Sequence, residues 1–388
     1  MTPRERLKQT LLDLLAIPSP SGFTDEVTRY IASLLSDIGV AYDITRRGTL
    51  RAHIPGAAAN CGPAQAVVCH ADTIGAMVRE ILPSGRIRVA PIGHWSSRFA
   101  EGARVSVFSE VRAYRGTLLP CVAWGQSRDA GVETVPIGWD HIELRIDEMV
   151  TSAAAVRARG IEIGDFIALD TQAETLDNGF IVGRSLDNKA GVAAVLECIR
   201  DLIVEEVRPP RDLYFLFTVT ETVGTGAGSA LLPAVSELVT IDFAAEAWAE
   251  HCPFEHLTVA SADAAGPYDY HLTQHIADLA RDRDIPFEKR LLPAHHSDAA
   301  AALAAGHDVR TAVLAYAGDA SHSLERTHVR SLENLQQLLR AYVTAQPTFC
   351  DDRSLTSIKD FSHQIDSDSL PPREREVPDP GEVLKKLQ

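Results

Sequence analysis

Cysteine is scarce in this chain: Cys61, Cys69, Cys121, Cys198, Cys252 and Cys350 are the only six in 388 residues, and no two form a CxxC pair. That scarcity excludes a disulfide-stapled scaffold and a thiolate-clustered zinc site, and it favours a reducing, cytoplasmic setting. Basic residues are also in deficit, 37 Lys+Arg against 53 Asp+Glu for a formal net charge of -16, so no nucleic-acid partner is expected. No run approaches the roughly 18 to 20 apolar residues that span a bilayer, so no membrane partner is expected either. The opening MTPRERLKQTLLDLLAIPSPSG is charged, amphipathic and broken by prolines, unlike a signal peptide. Phosphate-binding fingerprints are missing too, because the glycines of VGTGAG lack the required spacing and partner residues.

What is present describes a folded protein, with 45% hydrophobic and 23% charged residues and length for two domains. Leu7, Leu11, Leu14 and Leu15 recur at helical spacing until Pro18 and Pro20 stop the helix. A second helix is predicted after Thr24 as N-cap, with Val27, Ile31, Leu34, Leu35 and Ile38 as its apolar stripe and Gly39 beyond its end. AQAVVCHAD reads as a buried strand of an α/β sheet. From about 80 to 179 the texture changes to short alternating segments, RIRVAPIG, ARVSVFSEV, HIELRI and DFIALD, which predict an inserted small all-β domain. The α/β texture then returns over 180–345, with a helix at 188–204, strands LYFLFTV, LVTIDFAA and VRTAVLAY, a helix near 270–283 and a last helix carrying Leu332, Leu335, Leu338 and Leu339. The predicted architecture is one α/β domain, 1–79 with 180–345, interrupted by the insertion and followed by a polar, Pro- and acid-rich tail at 346–388.

Four sets of polar groups stand at the ends of predicted strands or at the start of the next loop, where an open sheet collects its ligands. They are His70 with Asp72 after AVVC, Asp187 in GRSLDNKAG, Glu221 after LFTVT, and Asp242 in LVTIDF; His322 follows the strand VRTAVLAY as a fifth candidate. Imidazole and carboxylate donors suit zinc, cobalt or manganese. In the HxD loop the Asp72 carboxylate is expected to accept the second imidazole N–H of His70 and so orient the ring. His295, His296 and Asp298 in PAHHSDAAAA are read as helix-capping or pocket-lining groups outside the metal set.

LAIPSPSG, CHADTIG, IGHWSSRFAEGARVSV, ARGIEIGDFIALD, GRSLDNKAG, TVTETVG and DASHSLERTH, in that order over about residues 10 to 345, resemble the dinuclear aminopeptidases of metallopeptidase family 42, the glutamyl and tetrahedral aminopeptidase group. GPYDYHLT and SHSLERTH also resemble a bacterial subgroup linked to dipeptide osmoprotectant metabolism. The resemblance implies an α/β/α zinc-peptidase domain with a barrel-like dimerisation insertion, and a homo-oligomer, either a dimer or a twelve-subunit shell. It implies up to two divalent metals, zinc or cobalt, with Asp187 as the bridge, His70 and Asp242 on the first metal and His322, preferred over His328, on the second. Glu221 matches the general base, and the activity implied is cleavage of an amide bond of a short or dipeptide-like substrate by metal-activated water.

One departure bears on that activity. The family shows two adjacent glutamates in VxEEVG, whereas TVTETVG has Thr222 in the second place. A neutral hydroxyl replaces a charged ligand, so the second site is expected to be weak, to recruit Glu221, or to stay empty. Two other readings stay open on the sequence: a deacylase or carboxypeptidase of the wider zinc clan, and a catalytically impaired scaffold or binding relative.

Overall fold

Strand β3 (Ala64–His70) is buried along its whole length, as a strand covered on both faces must be. Its alternation sends Val67 and Cys69 into one core, and Ala66 and Val68 into another on the opposite face. It pairs in parallel with β12 (Leu213–Thr218) on one side and β13 (Val235–Ala245) on the other, and β17 (Arg310–Asp319) extends the parallel set beyond β13. These four strands form the centre of a 12-stranded sheet whose order includes β12-β3-β13-β17. The computed structural model describes residues 1–57, 62–122, 134–245, 253–349 and 361. Cys61, Cys252 and Cys350 therefore lie outside the described residues, as does the expected tail apart from 346–349 and 361.

Helices cover the first face: α1 (Pro3–Ala16), α2 (Asp25–Asp37), α4 (Leu186–Val204), α5 (Tyr270–Arg281) and α7 (Val329–Thr344) all contribute to the larger core. Of the predicted stripes, Leu7, Leu11, Leu14 and Leu15 on α1 and Val27, Ile31 and Leu35 on α2 are buried, while Leu34 and Ile38 are half-buried against the core. Thr24 is the N-cap of α2, but its side chain makes no capping hydrogen bond. The second face is covered by α6 (Asp298–Ala304) and the short turn at 226–229, through Ala302, Ala227, Ala230 and Leu231. The result is the expected α/β/α layering.

The chain leaves this sheet directly after the His70 loop and closes a six-stranded barrel in the order β4-β5-β8-β7-β6-β9. Its strands are β4 (Gly75–Ile81), β5 (Ile87–Ile92), β6 (Arg104–Phe108), β7 (Ala113–Pro120), β8 (Ile142–Ile146) and β9 (Phe166–Leu169). Inward residues such as Val78, Val89, Val105, Val107, Leu144 and Ile167 fill it. β11 (Phe180–Gly183) then returns the chain to the main sheet beside β18 (Glu325–His328). Among the described residues no helix is long and apolar enough to cross a membrane.

Candidate metal centre

The central parallel strands deliver their polar residues to one end of the sheet. His70 is the last residue of β3 and pairs with Thr218, the last of β12, so the loop carrying Glu221 begins beside it. Asp242 lies on β13 two residues beyond the Thr240–Val68 pair. Asp187 enters at the start of α4, where the backbone leaves helical geometry at Asp187 and Asn188 before the regular helix begins. Ligand atoms of His70, Asp187 and Asp242 all lie within 4.8 Å of one another. Among the described residues no other trio of His, Cys, Asp or Glu does so.

His70 Nδ1 is 2.9 Å from the backbone carbonyl of Asp72. A carbonyl only accepts, so Nδ1 carries the proton and Nε2 points into the cluster, 3.3 Å from Asp187 Oδ1 and 3.4 Å from Glu221 Oε2. Ligand atoms on a tetrahedral zinc with bonds of about 2.0 to 2.1 Å stand about 3.3 to 3.4 Å apart, which is the spacing of His70 Nε2 and Asp187 Oδ1. Asp187 Oδ1 is buried and has no hydrogen-bond partner. A buried carboxylate oxygen without a donor is costly, so the donor set fits a cation.

The electrostatics carry the same message. Burial alone would depress His70, but Glu221, Asp187 and Asp72 outweigh it and hold the imidazole well above its usual range. A proton on Nε2 is one answer to the crowded negative charge; a divalent cation is the other. Burial, reinforced by the Asp187 charge, pushes Asp242 up to about 7. Burial also pushes Glu221 well up, against the pull of His70 and with help from Asp242, Asp298 and Asp72. Burial works on Asp187 in the same direction, yet His70, His322 and the Ser321 hydroxyl together hold it down to about 2.

His322 occupies the second side of Asp187. Its Nδ1 donates to the carbonyl of His94 at 2.7 Å, which leaves Nε2 facing Asp187 Oδ2 across 3.6 Å, while Ser321 Oγ donates to the same oxygen at 2.9 Å. His94 belongs to the turn after β5, so the barrel sets the orientation of this histidine. His328 instead pairs with the carbonyl of Asn178 at 2.9 Å and caps α7.

Asp72 differs from its expected role. Its carboxylate is 3.7 Å from His70 Nδ1, too far for a hydrogen bond, because the backbone carbonyl of the same residue already takes that N–H. The carboxylate accepts instead from Ser21 Oγ at 2.6 Å and from the backbone N–H groups of Glu221 and Thr222, both at 3.2 Å. It ties the LAIPSPSG loop, the HxD loop and the Glu221 loop together. Asp298 is also more than a helix cap: Ser297 caps α6, and the buried Asp298 carboxylate accepts from Thr218 Oγ1 at 2.9 Å and Ala227 N at 2.6 Å. His295 is half-buried and His296 exposed on the loop before α6.

Glu325 has no role in the sequence reading, yet it joins the two ligand loops, accepting from Asp187 N at 3.0 Å and His322 N at 2.9 Å. The HSLE spacing, with a glutamate three residues after a candidate ligand, was the available signal. Thr222 packs its methyl group on Gly93 of the barrel, where an added Cβ would stand 2.5 Å from Thr222 Cγ2 and where φ is +81°.

Comparison with known proteins agrees with this construction. The family described as M42 glutamyl aminopeptidase matches residues 48–338. The Bacillus subtilis (strain 168) protein named "Putative aminopeptidase YhfE" is 33% identical over 345 residues, covering 88% of this chain and 99% of that protein. Among solved structures, the TET aminopeptidase of a marine sediment Thaumarchaeota archaeon superposes with a TM-score of 0.79 at 19% identity, over 87% of this chain and 96% of that one. Pyrococcus horikoshii TET1 peptidase, described as assembling into a tetrahedron or a large octahedral shell, superposes with a TM-score of 0.77 at 21% identity, over 88% of this chain and 100% of that one. The chain therefore belongs to the M42 glutamyl aminopeptidase family and is a metal-dependent, aminopeptidase-like hydrolase.

Proposed function

We propose that this chain cleaves the amide bond after the amino-terminal residue of a short or dipeptide-like substrate, with His70, Asp187 and Asp242 holding a zinc or cobalt ion and Glu221 carrying the proton. Such a cation, when bound, supplies Lewis-acid polarisation of the scissile carbonyl and lowers the pKa of water. Glu221 is suited to its part because burial raises its carboxyl above the usual range, which favours taking a proton from water and giving it to the leaving amine. Asp72 fixes the Glu221 backbone, and Glu325 fixes the backbones of Asp187 and His322. The observation that carries the reading is the approach of Glu221 Oε2 to within 3.4 Å of His70 Nε2, at the edge of the His70–Asp187–Asp242 cluster.

The test is hydrolysis of leucyl- or glutamyl-anilide by the zinc- or cobalt-loaded chain. Glu221→Gln should lower turnover about 10²- to 10⁴-fold while metal binding persists. Equal turnover in the two proteins would remove Glu221 from the mechanism.

We also assign the barrel to contact between copies of this chain, in a dimer or a twelve-subunit shell. Val111, Ile137, Met149 and Ile163 are exposed on the insertion, apolar side chains that a contact between copies would cover. A cytoplasmic setting accords with Cys69, Cys121 and Cys198, all free.

A further inference from the structure

The two sides of Asp187 are not equivalent. On the Oδ1 side three protein ligands converge, and the His70 side chain is only 5% exposed. On the Oδ2 side Ser321 Oγ donates to the carboxylate oxygen at 2.9 Å. His322 Nε2, an acceptor in the tautomer whose Nδ1 donates to the His94 carbonyl, faces the same oxygen across 3.6 Å with its side chain 36% exposed. The open lone pair of Asp187 Oδ2 and that of His322 Nε2 lie close enough for one positive donor to serve both. Among the described residues no third carboxylate, thiolate or imidazole joins them within the spacing that defines the first trio. Thr222 turns its methyl group to Gly93 and gives its backbone N–H to Asp72. Six buried or nearly buried carboxyl groups, Asp72, Asp187, Glu221, Asp242, Asp298 and Glu325, surround the site, a setting that favours a positive charge at this position.

We propose that the position between His322 Nε2 and Asp187 Oδ2 receives the protonated amino terminus of the substrate and not a second metal ion. This rests on the hydrolase reading above and deepens it. A divalent ion there would have two protein ligands and open solvent, and so would bind weakly. An ammonium group needs only acceptors, and Asp187 Oδ2 and His322 Nε2 supply two, on the exposed side from which a substrate arrives. Selectivity for a free amino terminus then comes from charge-assisted hydrogen bonds.

Two measurements on the full chain test this. After equilibration with excess zinc or cobalt and removal of free ion, elemental analysis should give one metal per chain, and Thr222→Glu should raise it to two. Calorimetric titration of the one-metal protein with 3-methylbutylamine and with 3-methylbutanol should show the amine binding about tenfold tighter or more. His322→Leu should erase that preference, and His322→Gln, which keeps an acceptor, should restore part of it. Two metals in the unaltered chain, or equal binding of amine and alcohol, would overturn the proposal while one-metal anilide turnover left the hydrolase reading standing. No metal and no turnover would defeat that reading, and this proposal with it.

Discussion

Replacing Asp72 by Asn separates two ways in which this side chain could serve the site. Its carboxylate accepts three hydrogen bonds, from Ser21 Oγ at 2.6 Å and from the N–H groups of Glu221 and Thr222 at 3.2 Å. An amide keeps one acceptor oxygen and turns a donor toward the other partners. One to two charge-assisted bonds are then lost, at about 1.5 to 3 kcal/mol each. Because two of the three hold the loop of Glu221, about 2.7 kcal/mol of that loss falling on the transition state would lower turnover about 100-fold. Metal affinity should hardly change, since His70 Nδ1 leans on the Asp72 backbone carbonyl, which every substitution preserves. If the carboxylate oriented the ring, affinity would instead fall about 10- to 100-fold. Competition with a chelating dye gives the affinity, and anilide hydrolysis gives turnover per bound metal. Weakened metal binding with unchanged turnover per metal would refute the reasoning.

Three further outcomes are expected. The fully buried Arg211–Glu237 pair, 3.1 Å apart and shared with Gln65 and Tyr342, should make Glu237→Ala destabilising by about 3 to 5 kcal/mol in urea unfolding, because a buried guanidinium loses its counter-charge; a loss below about 1 kcal/mol would contradict this. Asp242, raised to about 7, and Asp298, raised to about 6, bind protons more tightly folded than unfolded. Stability of the metal-free protein should therefore rise as pH falls from about 7 toward about 4, while Asp187, held down to about 2, keeps its stabilising share through that window; calorimetric melting across it checks the sign, and Asp298→Asn should flatten the slope. Gly93→Ala should lower both stability and turnover, since φ is +81° and the new Cβ meets Thr222 Cγ2. Adding Thr222→Ser should recover part of the turnover, because it removes the methyl group in the way.

The strands and helices were legible because their periodicity is strong. β3 alternates between two cores, and the leucines of α1 and α7 fall on one buried face. The β insertion was legible from short alternating segments, but its barrel form came only from the family resemblance, since β4 with β9 and β6 with β9 are pairings between residues far apart in sequence. The residues at strand ends could be named because an open sheet gathers polar groups there. What tied them together was not visible. Ser21 and Glu325 act through hydrogen bonds spanning 51 and 138 positions, and neither carries a local pattern that marks a partner so distant. The exchange of roles at Asp72, carbonyl to His70 and carboxylate to the Glu221 loop, depends on a backbone turn that residue types alone do not specify.

The most direct test of the central claim is anomalous scattering from crystals of the full chain equilibrated with excess zinc or cobalt. A peak bounded by His70 Nε2, Asp187 Oδ1 and Asp242, with Glu221 beside it, is the predicted result. Saturating metal that leaves this cluster without a peak, or that gathers elsewhere on the chain, would contradict the account.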